Sequence, residues 1–449
     1  MKLFNTASKK LEEFRPADKN NVKIYTCGPT VYSTPHIGNY ASYIYWDLLV
    51  RTLVANGYTP NRVLNLTDVG HLTSDGDEGE DKLEKGAKKE GKTVWEIADF
   101  YINNYLEGFR ELNLIEPDKI CRATDYIEES MKAVDKMTKN GFTYETSDGI
   151  YFDTSKFNNY AKFARLDLEN IKAGARVEFN SEKRNASDFA VWKFIKPGEN
   201  HAMRWDYLGR PGYPGWHLEC STIINKELGE PIDIHTGGID HIPVHHTNEI
   251  AQTFAISGKH LSNYWLHCNF ITVDGQKISK SLGNGYTLAD LKEKDFSPLD
   301  FKMWILQGHF QGDRNFTFEA LEAAKNRRLN WKNCIALEFQ KPHATADNFY
   351  ENILESLNNN LNSADAFAKI DGEQNLSLDD WKEIDALFGL GLIDESKELT
   401  EAQEEILKNR KKAREEKDWK TSDELRNELE KQGITVKDTP DGQIWQYLK

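Results

Sequence analysis

The sequence predicts an α/β domain on a parallel sheet, interrupted by an insertion and followed by a helical, all-α C-terminal region. Three observations predict it. First, strand-like runs at 22–26 (VKIYT) and 62–67 (RVLNLT) flank a segment from about Ile37 to Asn56 whose apolar residues recur at helical spacing. Second, two further runs that fit the same sheet come much later, at 231–240 (PIDIHTGGID) and 267–273 (HCNFITV). Third, helical periodicity dominates from about Phe318 to the end.

The elements follow in order. The first strand is punctuated by Cys27-Gly28-Pro29-Thr30, and the helix after it ends at Gly57. Strand, helix and strand make a βαβ crossover. The polar, glycine-containing stretch 70–82 (GHLTSDGDEGEDK) reads as an exposed loop, and a long helical pattern follows from about Thr93 to Asn113. Strand-like pieces GFTYET and GIYFDTS lie between turn residues within 140–165, inside the insertion. In the C-terminal third, polar turns near 342–349 and 369–378 separate helices, and 404–429 reads as one long helix.

Composition sets bounds. A chain of 449 residues accommodates two to four domains, and 39% apolar residues can form a sizeable core. The five cysteines, at 27, 121, 220, 268 and 334, are odd in number, widely spaced and without a C-x-x-C, so no disulfide framework is expected. MKLFNTASKK has no apolar core of signal-peptide length. A soluble, cytoplasmic protein with no membrane contact is the expectation. The net charge of −15 excludes a general basic coat for nucleic acid but leaves a local basic face open.

Several short stretches carry chemistry. In TPHIGN (34–39) a strand gives way to a helix whose first turn presents unpaired N–H groups, with His36 and Asn39 as further donors to an anion. Read alone, this is more often an ordinary strand-to-helix turn. KISKS (277–281) offers two ammonium groups and two hydroxyls around one turn, suited to a polyphosphate, or else a solvated basic turn. Both follow strands of one sheet and share its carboxyl edge, where open α/β sheets bind ligands. In HIPVHHTNEI (241–250), Pro243 is expected to open a helix, so His245 and Glu249 share a face. His241 lies outside that helix, and His246 points about 100° away from His245. Such a His/Glu pair is more often a surface hydrogen bond than a metal site, and no H-E-x-x-H is present. Cys27 and Cys220, each an ordinary core cysteine alone, would complete with His245 and Glu249 an S₂NO set suited to zinc.

YTCGPTVYSTPHIGN, GWHLECS (215–221), HTGGID (235–240), HHTNEIAQ (245–252) and KISKSLGN (277–284) together resemble the cysteinyl-tRNA synthetases, a class I aminoacyl-tRNA synthetase family. RATDYI, GIYFDTSKF, SDFAVWK, LNSADA and GITVKDTPDGQIW extend the resemblance over nearly the whole chain. Asn39 stands at the end of the HIGH signature, Thr236 where glycine is usual and Thr247 where an acid is usual; 70–79 looks inserted.

The resemblance implies a Rossmann-like class I catalytic domain. It divides the chain into a first catalytic half (1–115), a connective insertion (116–204), a second half (205–275), a KMSKS and stem-contact region (276–325), a helical bundle (326–395) and an anticodon-binding region (396–449). It implies ATP-dependent attachment of L-cysteine to cysteine-specific tRNA by a monomer, with one Zn²⁺ per chain and Mg²⁺ accompanying ATP. His36, Asn39, Lys277 and Lys280 would act on the phosphates, with Gly38, Gly238 and Asp240 also at the ATP. Thr67, Trp216, His217 and His235 would line the amino-acid pocket, and Cys27, Cys220, His245 and Glu249 would hold the metal. Lys408, Arg410, Lys411, Lys412 and Arg414, with Trp419 nearby, would meet tRNA phosphates and unstacked bases. Rival readings are a ligase joining cysteine to an amino sugar, an idle tRNA-binding relative, and a nucleotidyltransferase of the same fold.

Overall fold

The computed structural model describes residues 1–69, 84, 87, 91–166, 182–196, 198–199, 201–279, 282–345, 347–440 and 442–448. The expected loop at 70–82 lies outside the described residues. Five strands form one parallel sheet in the order Ser262–Cys268, Ile232–Gly238, Val22–Thr26, Pro60–Leu66, Lys119–Arg122. Helix Ile37–Ala55 makes the first crossover, setting Ile24 opposite Arg62. Strands covered on both faces need no alternation, and Pro60–Leu66 ends in five consecutive buried residues. The chain returns to the other side of Val22–Thr26 with Ile232–Gly238, pairing Ile234 with Ile24. Connections therefore leave in opposite directions from this central pair, which opens a crevice at its carboxyl ends.

The insertion carries an antiparallel sheet in the order Thr143–Thr146, Gly149–Phe152, Phe189–Phe194, Arg210–Pro214, Trp205–Tyr207. Its apolar face, with Phe152, Phe189 and Trp192, packs on Leu218, Ala251 and Ala255 from two helices of the catalytic core. Two expected boundaries move. Lys119–Arg122 belongs to the parallel sheet although it lies beyond 115, and the strands within 205–214 belong to the insertion's sheet although they lie beyond 204. Strands this short show no readable period; partners far along the chain decide their membership. The expected strand at 267–273 is also two strands, and Ile271–Val273 pairs instead with Gln276–Lys277 and Arg314–Phe316.

The C-terminal region is helical from Phe318–Gln340 onward, with one addition. Its last residues form a β-hairpin, Ile434–Thr439 against Gly442–Tyr447. Ile434, Val436 and Trp445 pack with Leu429 on Ala336 of the long helix, and Gln340 exchanges two 2.9 Å hydrogen bonds with the Trp445 backbone. The helix expected over 404–429 is two helices, Glu401–Glu415 and Trp419–Lys431. Lys417 at φ +60° breaks them, and Asp418 caps the second. No helix among the described residues is long and apolar enough to cross a membrane.

Candidate active site

The parallel strands end at one edge, and those ends carry the chemistry. Cys27 follows the central strand, Thr67 follows Pro60–Leu66, and Gly237 and Gly238 close Ile232–Gly238. All four line a cavity of about 720 Å³. The same cavity is lined by His36, Gly38 and Asn39 at one end and by Trp216, Cys220 and His245 at the other.

At the thiol end, Cys27, Cys220, His245 and Glu249 are all buried, with one donor atom from each within 4.8 Å of the others. Helix Leu218–Glu227 brings in Cys220, and helix His245–Ser257 brings in His245 and Glu249 one turn apart. His245 Nε2 lies 2.8 Å from Glu249 Oε1 and 3.5 Å from Cys220 Sγ. This helix starts at His245 rather than at Pro243, because a 3₁₀ turn at Ile239–His241 precedes it and Thr247 Oγ1 donates back to the Ile242 carbonyl at 2.8 Å. The shared face of His245 and Glu249 is unaffected.

Burial would raise the Glu249 carboxyl, but His235 and His245 outweigh it and hold the group far below its usual range. Burial disfavours a charged His245, yet Glu249 and Cys220 beside it raise that imidazole well above its ordinary value. Burial likewise pushes the Cys220 thiol up, and its hydrogen bond with Cys27, helped by His245, brings it down to about 6. Burial, with Cys220 beside it, drives Cys27 well up. Two sulfurs, an imidazole nitrogen and a carboxylate oxygen within coordinating reach fit a zinc ion. Cys27, His235, His246 and Glu249 form a second buried donor set within the same 4.8 Å span; the two sets share Cys27 and Glu249.

Two expected pocket residues stand elsewhere. His217 and His235 are fully buried behind the donor set, because each spends a ring nitrogen on it. His217 Nδ1 lies 2.9 Å from His245 Nδ1, and His235 Nε2 lies 2.7 Å from Glu249 Oε2. Thr67 and Trp216 do line the cavity, and the Trp216 ring sits 4.8 Å from that of His245. Thr67 Oγ1 accepts from Asn65 Nδ2 at 3.1 Å and donates to Glu219 Oε2 at 2.9 Å. Glu219 is a buried carboxyl raised well above its usual range by burial and by Cys220, and it was not evident from sequence. Gly28 donates its N–H to Asn65 Oδ1 at 2.8 Å; a Cβ on it would lie 1.6 Å from the Asn65 carbonyl oxygen, so only glycine fits there.

At the other end, His36 caps helix Ile37–Ala55. Its Nδ1 accepts from the Asn39 N–H at 3.3 Å, and the Asn39 side-chain oxygen accepts from the His36 N–H at 3.0 Å. Asn39 thus spends its side-chain oxygen on the cap. The KISKS loop packs directly on this turn. A Cβ on Gly38 would lie 2.8 Å from Ile278 Cδ1, and Ile37 donates its N–H to the Tyr286 carbonyl at 2.7 Å. Asn284 holds the loop by accepting from the Ser279 N–H at 2.9 Å and donating to the Lys277 carbonyl at 3.2 Å. The Lys277 side chain is exposed, and Lys280 lies outside the described residues. Gly238 and Asp240 line the cavity, and a Cβ on Gly238 would lie 2.3 Å from Asp240 Oδ1.

Residues 13–326 match the family model of the class I (C) tRNA synthetase catalytic domain, and residues 396–445 match that of the cysteinyl-tRNA ligase anticodon binding domain. The chain is 39% identical to a cysteine--tRNA ligase of Treponema denticola over the full length of both proteins. It is 41% identical to cysteine--tRNA ligase 1 of Burkholderia lata over 98% of this chain and 96% of that protein. The chain belongs to the cysteine--tRNA ligase family. Its fold is also shared with Mycobacterium tuberculosis methionyl-tRNA synthetase in complex with methionyl-adenylate, at a TM-score of 0.57 and 15% identity over 83% of this chain and 88% of that one.

In this member of the family the basic cluster of the final segment divides in two. Lys408, Lys411 and Lys412 are exposed on helix Glu401–Glu415. Arg410 is not available to a phosphate. It is fully buried, with its guanidinium on both Asp438 oxygens at 3.0 Å and on Gln443 at 2.8 Å, and so it pins the hairpin to the helix. Arg414 is half-buried, lies 3.1 Å from Asp438 and sits 5.4 Å above the exposed Trp419 ring.

Proposed function

We propose that this chain joins L-cysteine to cysteine-specific tRNA in two steps. A cysteine carboxylate oxygen attacks the α-phosphorus of ATP and breaks the α–β phosphoanhydride bond, giving cysteinyl-adenylate and pyrophosphate. The 2′-OH of the terminal tRNA ribose then attacks the adenylate carbonyl and AMP leaves. No side-chain nucleophile is required; positioning and charge stabilisation carry the rate. His36, Asn39, Lys277 and Lys280 act on the phosphates, where Mg²⁺ accompanies ATP, and Gly38, Gly238 and Asp240 flank the nucleotide. Thr67 and Trp216 hold the amino acid. Cys27, Cys220, His245 and Glu249 would hold Zn²⁺, oriented by His217 and His235. When bound there, zinc supplies a soft Lewis acid that favours a thiolate over a neutral hydroxyl and so sorts cysteine from serine, which shape alone separates by only ~1–3 kcal/mol. Lys408, Lys411, Lys412 and Arg414, with Trp419, would meet the tRNA, and this basic face favours a tRNA acceptor over an amino sugar.

One observation carries the proposal: a single cavity is bounded by Cys27, Cys220 and His245 of the buried S₂NO set and by the HIGN turn with Ile278 of the KISKS loop packed on it. The test is ATP–pyrophosphate exchange with cysteine and with serine, beside elemental analysis of the purified protein. Exchange with cysteine alone and one zinc per chain are expected. Equal exchange with serine, or no zinc, would overturn the sorting role.

A further inference from the structure

A line of buried polar side chains leads from the donor set to the N-terminal segment. Cys27 Sγ lies 3.4 Å from His246 Nε2. His246 Nδ1 lies 2.7 Å from His267 Nε2, and His267 Nδ1 lies 2.8 Å from Thr6 Oγ1. All four residues are buried. Thr6 is fixed by its own backbone, whose N–H donates to the Trp265 carbonyl at 2.9 Å. The line joins three elements far apart in sequence: the first loop, the helix of His245 and the end of strand Ser262–Cys268.

Two nitrogens 2.7 Å apart need one hydrogen between them, so each link has a direction. A neutral imidazole carries one N–H, so the direction at one of its nitrogens sets the direction at the other. A thiol at Cys27 permits either sense. A metal-bound thiolate has no hydrogen to give and permits only one. In that sense the Thr6 hydroxyl donates to His267 Nδ1, His267 Nε2–H donates to His246 Nδ1, and His246 Nε2–H donates to the Cys27 sulfur.

We propose that Thr6, His267 and His246 are positioning residues that present an N–H to the Cys27 thiolate and thereby strengthen metal retention. The inference rests on the zinc reading above. It also gives His246 a role beside the metal rather than on it. Hydrogen bonds to a ligand fix its orientation, and their loss typically costs ~10–100-fold in metal affinity. Thr6 touches neither the metal residues nor the cavity, so its hydroxyl tests the chain without disturbing the pocket.

The experiment measures zinc affinity of the full-length protein by competition with a chelator, for wild type, Thr6→Val and Thr6→Ser. Thr6→Val keeps the side-chain shape and should bind zinc roughly tenfold more weakly, whereas Thr6→Ser should match wild type. The cobalt-substituted proteins give a second readout. Loss of an N–H···S bond raises the energy of the thiolate electrons, so the sulfur-to-cobalt charge-transfer band of Thr6→Val should move to longer wavelength. Unchanged affinity and band in Thr6→Val would overturn the inference and leave the zinc reading standing. Equal losses in both variants would also overturn it, because packing rather than the hydroxyl would then be responsible. A wild-type protein that binds no zinc would defeat both readings together.

Discussion

The two ends of the cavity are built on opposite principles. At the thiol end all four donor residues are buried, and three are held by a buried group outside the set: Cys27 by His246, His245 by His217 and Glu249 by His235. At the other end the Lys277 side chain is exposed, and the HIGN turn is held by its own capping box and by Ile278. The difference fits the tasks proposed for the two ends. Telling a sulfur from an oxygen requires donors in fixed places, shielded from water. Stabilising a charge that moves from ATP to pyrophosphate suits long cations that follow it.

The largest expected effect tests the open end. Lys280→Ala should slow cysteine-dependent pyrophosphate exchange by ~10²–10³-fold, the scale of removing one donor to the transition state, with little change in the KM for cysteine. A matching rise in KM would break the comparison by giving that lysine a ground-state role. Next, Cys220→Ser tests the buried end. Zinc content should fall to near zero, and discrimination against serine should drop to the roughly 10–200-fold that pocket shape supplies. Full zinc content in Cys220→Ser, together with its loss in His246→Ala, would instead place the ion on the second donor set.

The same contrast recurs in the C-terminal segment, between exposed lysines and one buried arginine. Replacing Lys408, Lys411 and Lys412 with alanine should weaken tRNA binding and lower its salt slope by roughly one unit for each phosphate left without its lysine, with thermal stability unchanged. Arg410→Ala should do the reverse, destabilising the segment by about 1–3 kcal/mol, because Gln443 Oε1 loses its donor and Asp438 keeps only Arg414 and Arg426. A binding loss without a stability loss in Arg410→Ala would return that residue to the tRNA face. The smallest effect is acid sensitivity. Arg410, against opposing burial, holds the Asp438 carboxyl below its usual range. Its folded value therefore lies under the unfolded value of ~3.9, so its contribution to stability is complete above about pH 4 and is lost as the pH falls further. Asp438→Asn should flatten that acid limb of the melting temperature for the final segment.

The strand and helix that build the site were legible because their signals are local. VKIYT, the helix from Ile37 and the HIGN turn lie where their patterns put them. The closing hairpin also had a local signal, the alternation of Ile434 and Val436 before the sequence Pro-Asp-Gly, which the strong helical trend of the preceding residues masks. Helix 404–429 fails at Lys417 for a related reason: a left-handed backbone at a lysine leaves no mark on apolar spacing.

The sequence by itself determined the family, the order of the βαβ units, and the identities of the thiols, imidazoles and carboxylates available to the site. Those depend on spacing along the chain and on chemical type, and both are written in the residues. Tertiary structure alone decided which way each group faces. It turned Arg410 inward to Asp438, set His217 and His235 behind the Cys/His/Glu donor set rather than in the pocket, and joined Thr6 to Cys27 through His267 and His246. Each of these outcomes depends on a partner supplied by a distant part of the chain. Burial favours such a partner strongly, since a polar group removed from water without a hydrogen bond inside the protein costs free energy.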